Sequence, residues 1–258
     1  MIDETVKIAE NRKVNGKYYK LIFESSKVQK VEPGQFMNVL IQPSLDPFLR
    51  RPFSYFRTSG KKVEVLYEIL GKGTSQLSKK QKGDTLKVMG PQGRPFLAKL
   101  PKGKKRVLVA GGVGVPPLVY LAEKKGTDFL LIGTKSKEEV LPKKELSKVK
   151  GKILYSTNDG SYGSRGFVTV ILENLILKEG AQSLFIQTCG PNVMMQAVID
   201  LARRYNIPGE ASLDKPMACA IGACLGCMVK TKDGWTASCV KGPVFSFDEL
   251  DPEAGICE

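Results

Sequence analysis

The chain has 258 residues, of which 42% are hydrophobic, so it can hold one large domain or two modest domains with an appendage. Its 40 lysine and arginine residues outnumber 26 acidic residues, but they are spread along the whole chain without interleaved aromatic residues, which favours a solvated basic surface over a nucleic-acid interface. Histidine is absent, which excludes histidine-based acid–base catalysis, histidine–metal sites and Rieske-type clusters.

Neither a membrane span nor a secretion signal is evident in the sequence. No apolar run reaches membrane-spanning length, and the N-terminus lacks an apolar core of the length that a signal peptide needs. We therefore expect a soluble, cytoplasmic protein with no membrane and no nucleic acid among its partners. Disulfides are disfavoured in that compartment, so the six cysteines need another explanation.

Residues 1–98 contain short β-branched or alternating segments separated by clusters of Gly, Pro, Asn and Asp, a pattern typical of strands joined by turns. These segments are Val6–Ala9, Tyr18–Glu24, Gln35–Ile41, Val63–Ile69 and Thr85–Met89. Spacing this regular predicts a small antiparallel barrel.

A candidate anion-binding motif, Arg51-Pro52-Phe53-Ser54, follows a loop and opens a strand. The guanidinium of Arg51 offers a fixed fork that suits a pyrophosphate, and the hydroxyl of Ser54 is short enough to reach the edge of a flavin ring. Taken alone the motif is weak, because a surface arginine beside a strand-start proline explains it equally well.

A second motif of the barrel is the glycine-containing turn within Leu66–Ser75. Tyr67 is placed to pack along a flavin or a ribose, and Gly71 and Gly73 let backbone approach a ligand. Thr74 is the predicted N-cap of a short helix over residues 75–80, whose free N–H groups bind phosphate. The alternative is a hairpin turn followed by an ordinary helix cap.

The pattern changes after the linker at residues 100–105. Short buried strands are predicted at Arg106–Ala110, Phe129–Ile132, Lys152–Tyr155 and Leu184–Gln187, with helical segments between and after them, for example at 191–205. Strands that alternate with helices predict a parallel α/β sheet.

Three loops lie at the predicted carboxyl ends of these parallel strands, where open α/β sheets bind ligands. The glycine-rich loop at 110–117 stands between a strand and a helix, as a phosphate loop requires, but it lacks the G-x-G-x-x-G pattern and is also consistent with a tight turn. The loop at 158–163 carries Asp159 and Gly160, and the third loop is Cys189-Gly190-Pro191. Cys189 is either a buried structural thiol or a residue facing a nicotinamide–flavin contact.

Four cysteines near the C-terminus follow the spacing C-x4-C-x2-C-x11-C, which is the first half of the plant-type [2Fe–2S] pattern plus a fourth cysteine. They are Cys219, Cys224, Cys227 and Cys239. The residues between them are mostly alanine and glycine, which let backbone N–H groups approach sulfur. Structural zinc is the rival interpretation, although zinc ribbons usually pair two C-x2-C knuckles and only one is present.

In this order, the motifs resemble those of the ferredoxin–NADP reductase superfamily and, within it, the electron-transfer subunits of class 1B dihydroorotate dehydrogenases. The resemblance covers essentially the whole chain, and the segment Met217–Cys227 is its most specific part. Two positions depart from the family pattern: Ala220 replaces the usual glycine, and Glu68 stands where a basic residue is common.

The resemblance implies a fold of three parts: an antiparallel six-stranded FAD barrel at 1–98, a parallel α/β domain that binds a nicotinamide nucleotide at 101–210, and a small [2Fe–2S] segment at 211–258. The implied FAD residues are Arg51, Pro52, Phe53, Ser54, Leu66, Tyr67, Glu68, Gly73 and Thr74. The implied NAD residues are Gly111, Gly112, Gly114, Asp159, Gly160, Cys189, Gly190 and Pro191. The four cysteines of the run would bind the cluster.

The resemblance also implies an oxidoreductase subunit of pyrimidine biosynthesis that passes electrons between NAD and an FMN-containing catalytic subunit, in a heterotetramer, without itself oxidising dihydroorotate. Two alternatives stay open: the flavin/iron–sulfur subunit of a ferredoxin:NADP transhydrogenase or sulfide dehydrogenase, and a non-enzymatic zinc-stabilised adaptor. Cys219 disfavours the branch that has aspartate at this position. Lysines and glutamates both occur at 135–139, so the choice of NAD over NADP follows the family, and the sequence assigns Cys257 no role.

Overall fold

The computed structural model describes residues 2–28 and 30–256, so Cys257 lies outside the described part. The N-terminal half forms an antiparallel sheet with the strand order β4-β3-β7-β1-β2-β6-β5. The strands are β1 (Ile2–Lys13), β2 (Tyr18–Glu24), β3 (Phe36–Leu40), β4 (Arg51–Ser54), β5 (Arg57–Ser59), β6 (Lys62–Glu68) and β7 (Thr85–Gln92).

The sheet closes into a barrel through one bent strand. Only Tyr55 and Phe56 separate β4, which pairs with β3, from β5, which pairs with β6. At the bend, the backbone N–H of Phe56 donates to the carbonyl oxygen of Glu64 at 2.9 Å. Counted as one strand, β4 and β5 give six strands around the barrel, so the predicted antiparallel barrel is confirmed.

Alternation along the strands explains why the sequence folds this way. In β7, Leu86 and Val88 are buried while Thr85 and Lys87 are exposed, as expected for a strand with one face on the core. The barrel core is closed by large side chains, including Phe23 and Met37, that exclude solvent completely. One helix, α1 (Lys72–Lys79), follows β6 and packs Leu77 against this core.

The second half forms a parallel sheet with the strand order β11-β10-β9-β8-β12-β13, which confirms the predicted α/β arrangement. Its strands are β8 (Lys105–Gly111), β9 (Phe129–Thr134), β10 (Lys152–Thr157), β11 (Ser164–Arg165), β12 (Leu184–Cys189) and β13 (Gly209–Ser212). Its helices are α2 (Val115–Lys125), α3 (Val168–Glu179) and α4 (Asn192–Arg204).

Helices cover both faces of this sheet. In β8, Val107 and Val109 pack with α3 and α4, whereas Leu108 and Ala110 pack with α2. Because both faces are covered, the strands read as continuous apolar runs rather than as alternating ones. The face that carries α2 also contacts the barrel, since Tyr18 and Phe56 belong to the same apolar cluster.

The C-terminal segment adds a hairpin, a short helix and an edge strand. The hairpin joins β14 (Met228–Thr231) to β15 (Gly234–Ala237), and α5 (Ser238–Lys241) follows it. The last strand, β16 (Val244–Ser246), pairs antiparallel with β13 and so extends the parallel sheet. Within the described residues, no helix is both long and apolar enough to cross a membrane.

A group of charged residues joins the two domains, and we call it the interdomain ion cluster: Lys20, Arg57 and Glu64 from the barrel, with Glu123 and Glu145 from the α/β domain. Lys20 Nζ lies 2.8 Å from Glu145 Oε2 and 3.0 Å from Glu64 Oε2. Arg57 donates from Nε to Glu123 Oε2 at 2.8 Å and from Nη1 to Glu145 Oε2 at 3.2 Å. The cluster is largely buried, so its charges are poorly screened and fix the docking of the domains.

Candidate functional site

A cleft of about 370 Å³ lies between the barrel and the α/β domain. Its barrel side is formed by β4, by the end of β6 and by the start of α1. Its far side is formed by the glycine-rich loop, by the end of β12 and by residues 212–217. All nine predicted FAD residues line it: Arg51, Pro52, Phe53, Ser54, Leu66, Tyr67, Glu68, Gly73 and Thr74.

Arg51 and Gly73 are in direct contact at the wall of this cleft. A Cβ atom at Gly73 would lie 2.5 Å from Arg51 Nε, so the guanidinium occupies the space that any other residue at position 73 would need. The side chain of Arg51 also donates a hydrogen bond to the carbonyl oxygen of Leu49. These contacts hold a permanently charged fork beside the first turn of α1, which is an arrangement suited to a phosphate group.

The predicted start of this helix was wrong. The helix begins at Lys72 with Gly71 as its N-cap, so Thr74 is the third residue of the helix rather than its cap. The hydroxyl of Thr74 instead accepts hydrogen bonds from the backbone N–H groups of Leu70 at 2.9 Å and Gly71 at 3.2 Å. Gly73 and Thr74 therefore both lie in the first turn, where backbone N–H groups have no partner within the helix.

Tyr67 offers its ring to the cleft, while its hydroxyl is already bonded. The ring packs against Tyr19, with centroids 5.6 Å apart, and edge-on against Phe53 at 6.0 Å. The hydroxyl donates to Asn11 Oδ1 at 2.9 Å. Burial raises the pKa of Tyr67 far above its usual value, so the side chain stays neutral. It is suited to packing along a planar ligand rather than to proton transfer.

The α/β domain contributes fewer of its predicted residues to the cleft. Gly114, Cys189 and Gly190 line it, together with Val113. The remaining predicted NAD residues lie outside the lining: Gly111, Gly112, Asp159, Gly160 and Pro191. Gly112 adopts φ +50°, and its carbonyl oxygen accepts a 2.6 Å hydrogen bond from the hydroxyl of Tyr18, so the barrel fixes the glycine-rich loop.

Asp159 lies in the exposed turn after β10, next to the segment that follows β9. Its carboxylate accepts hydrogen bonds from the backbone N–H and the hydroxyl of Ser161, at 2.9 and 2.6 Å, and these bonds lower the pKa of Asp159. Its own N–H donates to the carbonyl oxygen of Lys135 at 3.3 Å. In the adjacent segment, the carboxylate of Glu139 is paired with Lys17 at 3.2 Å.

Cys189 is both buried and in the cleft lining, which reconciles the two interpretations of this residue. It is 7% exposed, and burial raises the pKa of its thiol to about 12. It is therefore a neutral thiol at pH 7 and not a nucleophilic thiolate. It offers the cleft a small, polarisable surface without charge.

Gly71, which the sequence analysis singled out, also lines the cleft. The cleft contains further residues to which the sequence analysis gave no role: Phe36, Leu70, Lys72, Val113, Ser212, Leu213, Asp214, Met217 and Pro243. Most are apolar or lie in segments with no cofactor motif, so no local signal marks them. The lining residues 212–217 come directly before the first cysteine of the run, which places the cysteine segment at the wall of the cleft.

Alanine at Gly114 should disrupt the contact between the glycine-rich loop and β12. A Cβ there would lie 2.1 Å from the backbone carbonyl of Cys189, whereas at Gly111 the nearest atom, at 2.5 Å, is the sulfur of the flexible Met194 side chain. We expect Gly114→Ala to lower the free energy of unfolding by about 1–3 kcal/mol, with a smaller loss for Gly111→Ala. Urea unfolding of both variants measures this, and equal losses would show that the loop adapts.

The four cysteines lie as two pairs. The pairs are Cys219 with Cys224 and Cys227 with Cys239. Backbone N–H groups also point at sulfur: that of Cys224 at Cys219 Sγ, 3.3 Å away, and that of Cys239 at Cys227 Sγ, 3.4 Å away. Two residues of this loop adopt left-handed backbone conformations: Ala220 with φ +56° and Leu225 with φ +55°. All five described cysteines are free thiols.

The two pairs differ in environment. Cys227 and Cys239 are each 3% exposed, and burial raises the pKa of Cys239 to about 12. Cys224 is exposed and Cys219 half-buried, and the backbone N–H of Ile221 helps to lower the pKa of Cys219 to about 6. Across the described residues, no three metal-binding side chains converge on one point. Two pairs of thiols can supply two thiolates to each iron of a two-iron cluster.

Comparisons with known proteins agree with this site. The family described as the iron–sulfur cluster binding domain of dihydroorotate dehydrogenase B matches residues 214–251. Among curated relatives, the "Dihydroorotate dehydrogenase B (NAD(+)), electron transfer subunit" of Clostridium acetobutylicum is 39% identical over 247 residues, 95% of each chain. The protein of the same name from Caldanaerobacter subterraneus subsp. tengcongensis is 34% identical over 248 residues, covering 95% of this chain and 96% of its own.

Solved structures show the same fold. An NADH-dependent reduced ferredoxin–NADP oxidoreductase, described in connection with flavin-based electron bifurcation, superposes with a TM-score of 0.83 at 26% identity, covering 95% of this chain and 89% of its own. The cytochrome P450 reductase GcoB of Amycolatopsis superposes with a TM-score of 0.68 at 18% identity, over 80% of this chain and 67% of its own, which shows the fold alone.

Proposed function

The chain belongs to the family of dihydroorotate dehydrogenase B electron transfer subunits, and from this membership we propose that it carries electrons between NAD and a catalytic partner subunit that oxidises dihydroorotate. It is an oxidoreductase subunit whose cofactors are FAD and an iron–sulfur cluster of the [2Fe–2S] type, with NAD as its substrate. The observation that carries the proposal is the cleft, which brings together the barrel motifs, Cys189 and the start of the cysteine segment.

Each group has a different role in electron transfer. Nicotinamide exchanges two electrons as a hydride, whereas the cluster carries one electron at a time. Flavin connects the two, because it accepts two electrons and releases them singly. The protein supplies binding and orientation. We assign residues 1–98 to FAD, 101–210 to the nicotinamide nucleotide and 211–258 to the cluster. The described cysteine residues that we assign as ligands are Cys219, Cys224, Cys227 and Cys239.

In the barrel, Arg51 is proposed to bind the FAD pyrophosphate, with the N–H groups of Gly73 and Thr74 donating from the first turn of α1. Ser54 lies at the flavin edge, and the ring of Tyr67 packs along the cofactor. The remaining FAD contacts are Pro52, Phe53, Leu66 and Glu68. Glu68 pairs with Lys17 at 3.4 Å, so a lysine from the neighbouring hairpin supplies positive charge at the position where the family commonly has a basic residue.

In the α/β domain, the nicotinamide is proposed to reach the cleft beside Gly114, Cys189 and Gly190, which are the NAD residues that line it. The phosphates then lie against the glycine-rich loop at Gly111 and Gly112, with Pro191 at its flank. The turn with Asp159 and Gly160 receives the adenosine end, where the carboxylate of Asp159 suits a ribose 2′-hydroxyl and repels a 2′-phosphate. This favours NAD over NADP.

The partner is proposed to contain FMN and to form a heterotetramer with this chain. Exposed apolar side chains lie in the loop that carries the exposed Cys224 and against it: Ile221 is 50% exposed, Leu225 63% and Val240, which lies next to Gly222, 51%. Exposed apolar side chains next to an iron–sulfur ligand are typical of a protein–protein contact rather than of a free surface. We assign the substrate site to the partner, because the relatives are named electron transfer subunits, which implies a separate catalytic subunit.

Replacing Arg51 by alanine should weaken FAD binding. Loss of a charge-assisted hydrogen bond typically costs about 1.5–3 kcal/mol, which corresponds to about tenfold or more in affinity. The matched control is Arg50→Ala, because the neighbouring guanidinium binds Asp3 at 2.9 Å instead. Flavin content after purification and titration of the apoprotein with FAD measure the effect. Equal FAD affinity in the two variants would remove Arg51 from the binding site.

The function is tested by separating the subunits. The isolated chain should be yellow-brown, should reduce artificial electron acceptors with NADH and should not oxidise dihydroorotate. Addition of an FMN-containing dihydroorotate dehydrogenase subunit should give a complex that couples dihydroorotate to NAD. Steady oxidation of dihydroorotate by this chain alone would contradict the assignment of the substrate site to the partner. A colourless protein that contains zinc would support the non-enzymatic adaptor instead.

A second candidate is a subunit of a ferredoxin:NADP transhydrogenase, which the 26% identity to an NADH-dependent reduced ferredoxin–NADP oxidoreductase favours. The same experiment discriminates the two. A fully loaded complex that fails to couple dihydroorotate to NAD, while the chain exchanges electrons with ferredoxin, would support this candidate.

A further inference from the structure

Phe36 stands at the boundary between the cleft and the cysteines. It is the first residue of β3 and is 4% exposed. Across the sheet it is the partner of Ser54 in β4 and of Gln92 in β7. It also lines the cleft. One face of this side chain therefore lies beside the residues proposed to hold the flavin.

The other face of Phe36 packs on the cysteine segment. Phe36, Ala220, Cys227 and Cys239 form one small apolar cluster, with Met89, Met217 and Ala237 packed around it. Its strand neighbour Gln92 donates from Nε2 to the carbonyl oxygen of Ala220 at 2.7 Å, a buried hydrogen bond that anchors the loop to the barrel. The contact between barrel and cysteines is therefore apolar and is fixed by a buried hydrogen bond.

Only one thiol pair takes part in this contact. Cys227 and Cys239 are the buried pair and touch the cluster around Phe36, whereas Cys219 and Cys224 form the more exposed pair. We call these the inner and the outer pair. The inner pair packs with Phe36, which lines the cleft, whereas the outer pair lies next to the exposed side chains of Ile221 and Leu225, so the two pairs have different neighbours.

We propose that Phe36 is a positioning residue that separates the flavin cleft from the inner thiol pair and keeps water out of the contact between them. The proposal rests on the proposed function, because it presumes a flavin in the cleft and a cluster on the four thiols. A single electron crosses the contact, no bond forms or breaks at Phe36, and no proton moves through it. The ring of Phe36 sets the distance between the flavin and the inner thiol pair and excludes water from the space between them.

The physical basis is the sensitivity of iron–sulfur sites to their surroundings. Their reduction potentials depend on solvent exposure and on hydrogen bonds to sulfur, and the apolar shell controls solvent access. A smaller side chain at position 36 opens a path from the wide cleft to the inner pair, since the aromatic volume is not replaced. Water that enters this path hydrates the thiolates of the inner pair and increases the distance between the cleft and the cluster.

The test compares Phe36→Leu and Phe36→Ala with Phe23→Leu, which removes an equally buried aromatic from the barrel core away from the cysteines. In the cofactor-loaded chain, three quantities are measured: the rate of flavin reduction by NADH, the subsequent rate of cluster reduction, and the reduction potential of the cluster. A fourth readout is the rate at which a chelator removes iron, which needs no turnover.

For Phe36→Ala we expect iron release to accelerate by about tenfold or more, because groups around a metal site typically change affinity or activity by about 10- to 100-fold. The cluster potential should shift, and cluster reduction should slow while flavin reduction keeps its rate. Phe36→Leu should show the same changes to a smaller extent and guards against simple unfolding. Phe23→Leu should lower stability without changing the ratio of the two reduction rates.

The outcomes separate the two proposals. If wild-type protein binds flavin and cluster but Phe36→Leu and Phe36→Ala match Phe23→Leu in chelation, potential and rate ratio, the role of Phe36 is wrong and the proposed function stands. If the wild-type protein holds no cluster that NADH reduces, the proposed function itself fails.

Discussion

Replacing Cys224 by serine is expected to abolish the iron–sulfur cluster or to change its reduced EPR signal strongly. Cys224 belongs to the outer pair, and the alternative ligand would be a hydroxyl, which lacks the soft thiolate sulfur that iron–sulfur sites require. The residue is exposed and packs no core, so the substitution should leave the fold intact. Iron and sulfide analysis with EPR of the reduced protein measures the effect.

The matched control for this experiment is Cys257→Ser, which lies outside the four-cysteine run and should leave the signal unchanged. An unaltered signal in Cys224→Ser would remove this residue from the ligand set. Metal analysis of the wild type adds a further check: two irons with two sulfides support the cluster, whereas one zinc and no sulfide would support the rival site.

Replacing Glu145 by glutamine should lower stability sharply at neutral pH. Glu145 is 4% exposed and holds both Lys20 and Arg57, so its loss leaves buried cations without full compensation. Removing one partner of a buried ion pair typically costs about 3–5 kcal/mol. Urea unfolding at pH 7 measures it. The control is Glu179→Gln, whose single, partly exposed pair with Lys105 should contribute less.

The same site predicts a pH dependence. Burial raises the pKa of Glu145, but the hydrogen bonds and charges of Lys20 and Arg57 outweigh burial and lower it below 4.5. A carboxylate with a lowered pKa in the folded state stabilises the protein fully above about pH 4.5 and loses that contribution as the pH falls. The stability difference between wild type and Glu145→Gln should therefore shrink in acid. A difference that is constant from pH 7 to pH 3 would contradict the assignment.

Much of the architecture could be predicted because its signals are local. Alternation in Thr85–Gln92, the glycine-rich loop after β8 and the spacing of the four cysteines each lie within a short stretch of chain. The cleft residues of β4 were found for the same reason, since Arg51 to Ser54 form one contiguous motif.

What the sequence could not reveal depends on tertiary contacts. The members of the interdomain ion cluster are separated by up to 125 residues, so no motif contains them. Phe36 resembles any apolar strand residue, and only the fold shows that its two faces meet different partners. The start of α1 was misplaced because threonine is a favoured N-cap, whereas the packing of Gly73 on Arg51 holds the helix one turn earlier.

The interdomain ion cluster limits how this protein can be recombined. Arg57 on the barrel meets Glu123 of α2 and Glu145, both supplied by the nucleotide-binding half. A chimera in which that half is exchanged to change coenzyme preference would leave Arg57 and Lys20 buried without their acidic partners. The two halves are therefore not interchangeable modules, and a transplanted half would have to bring acidic residues at both positions to dock in the same orientation.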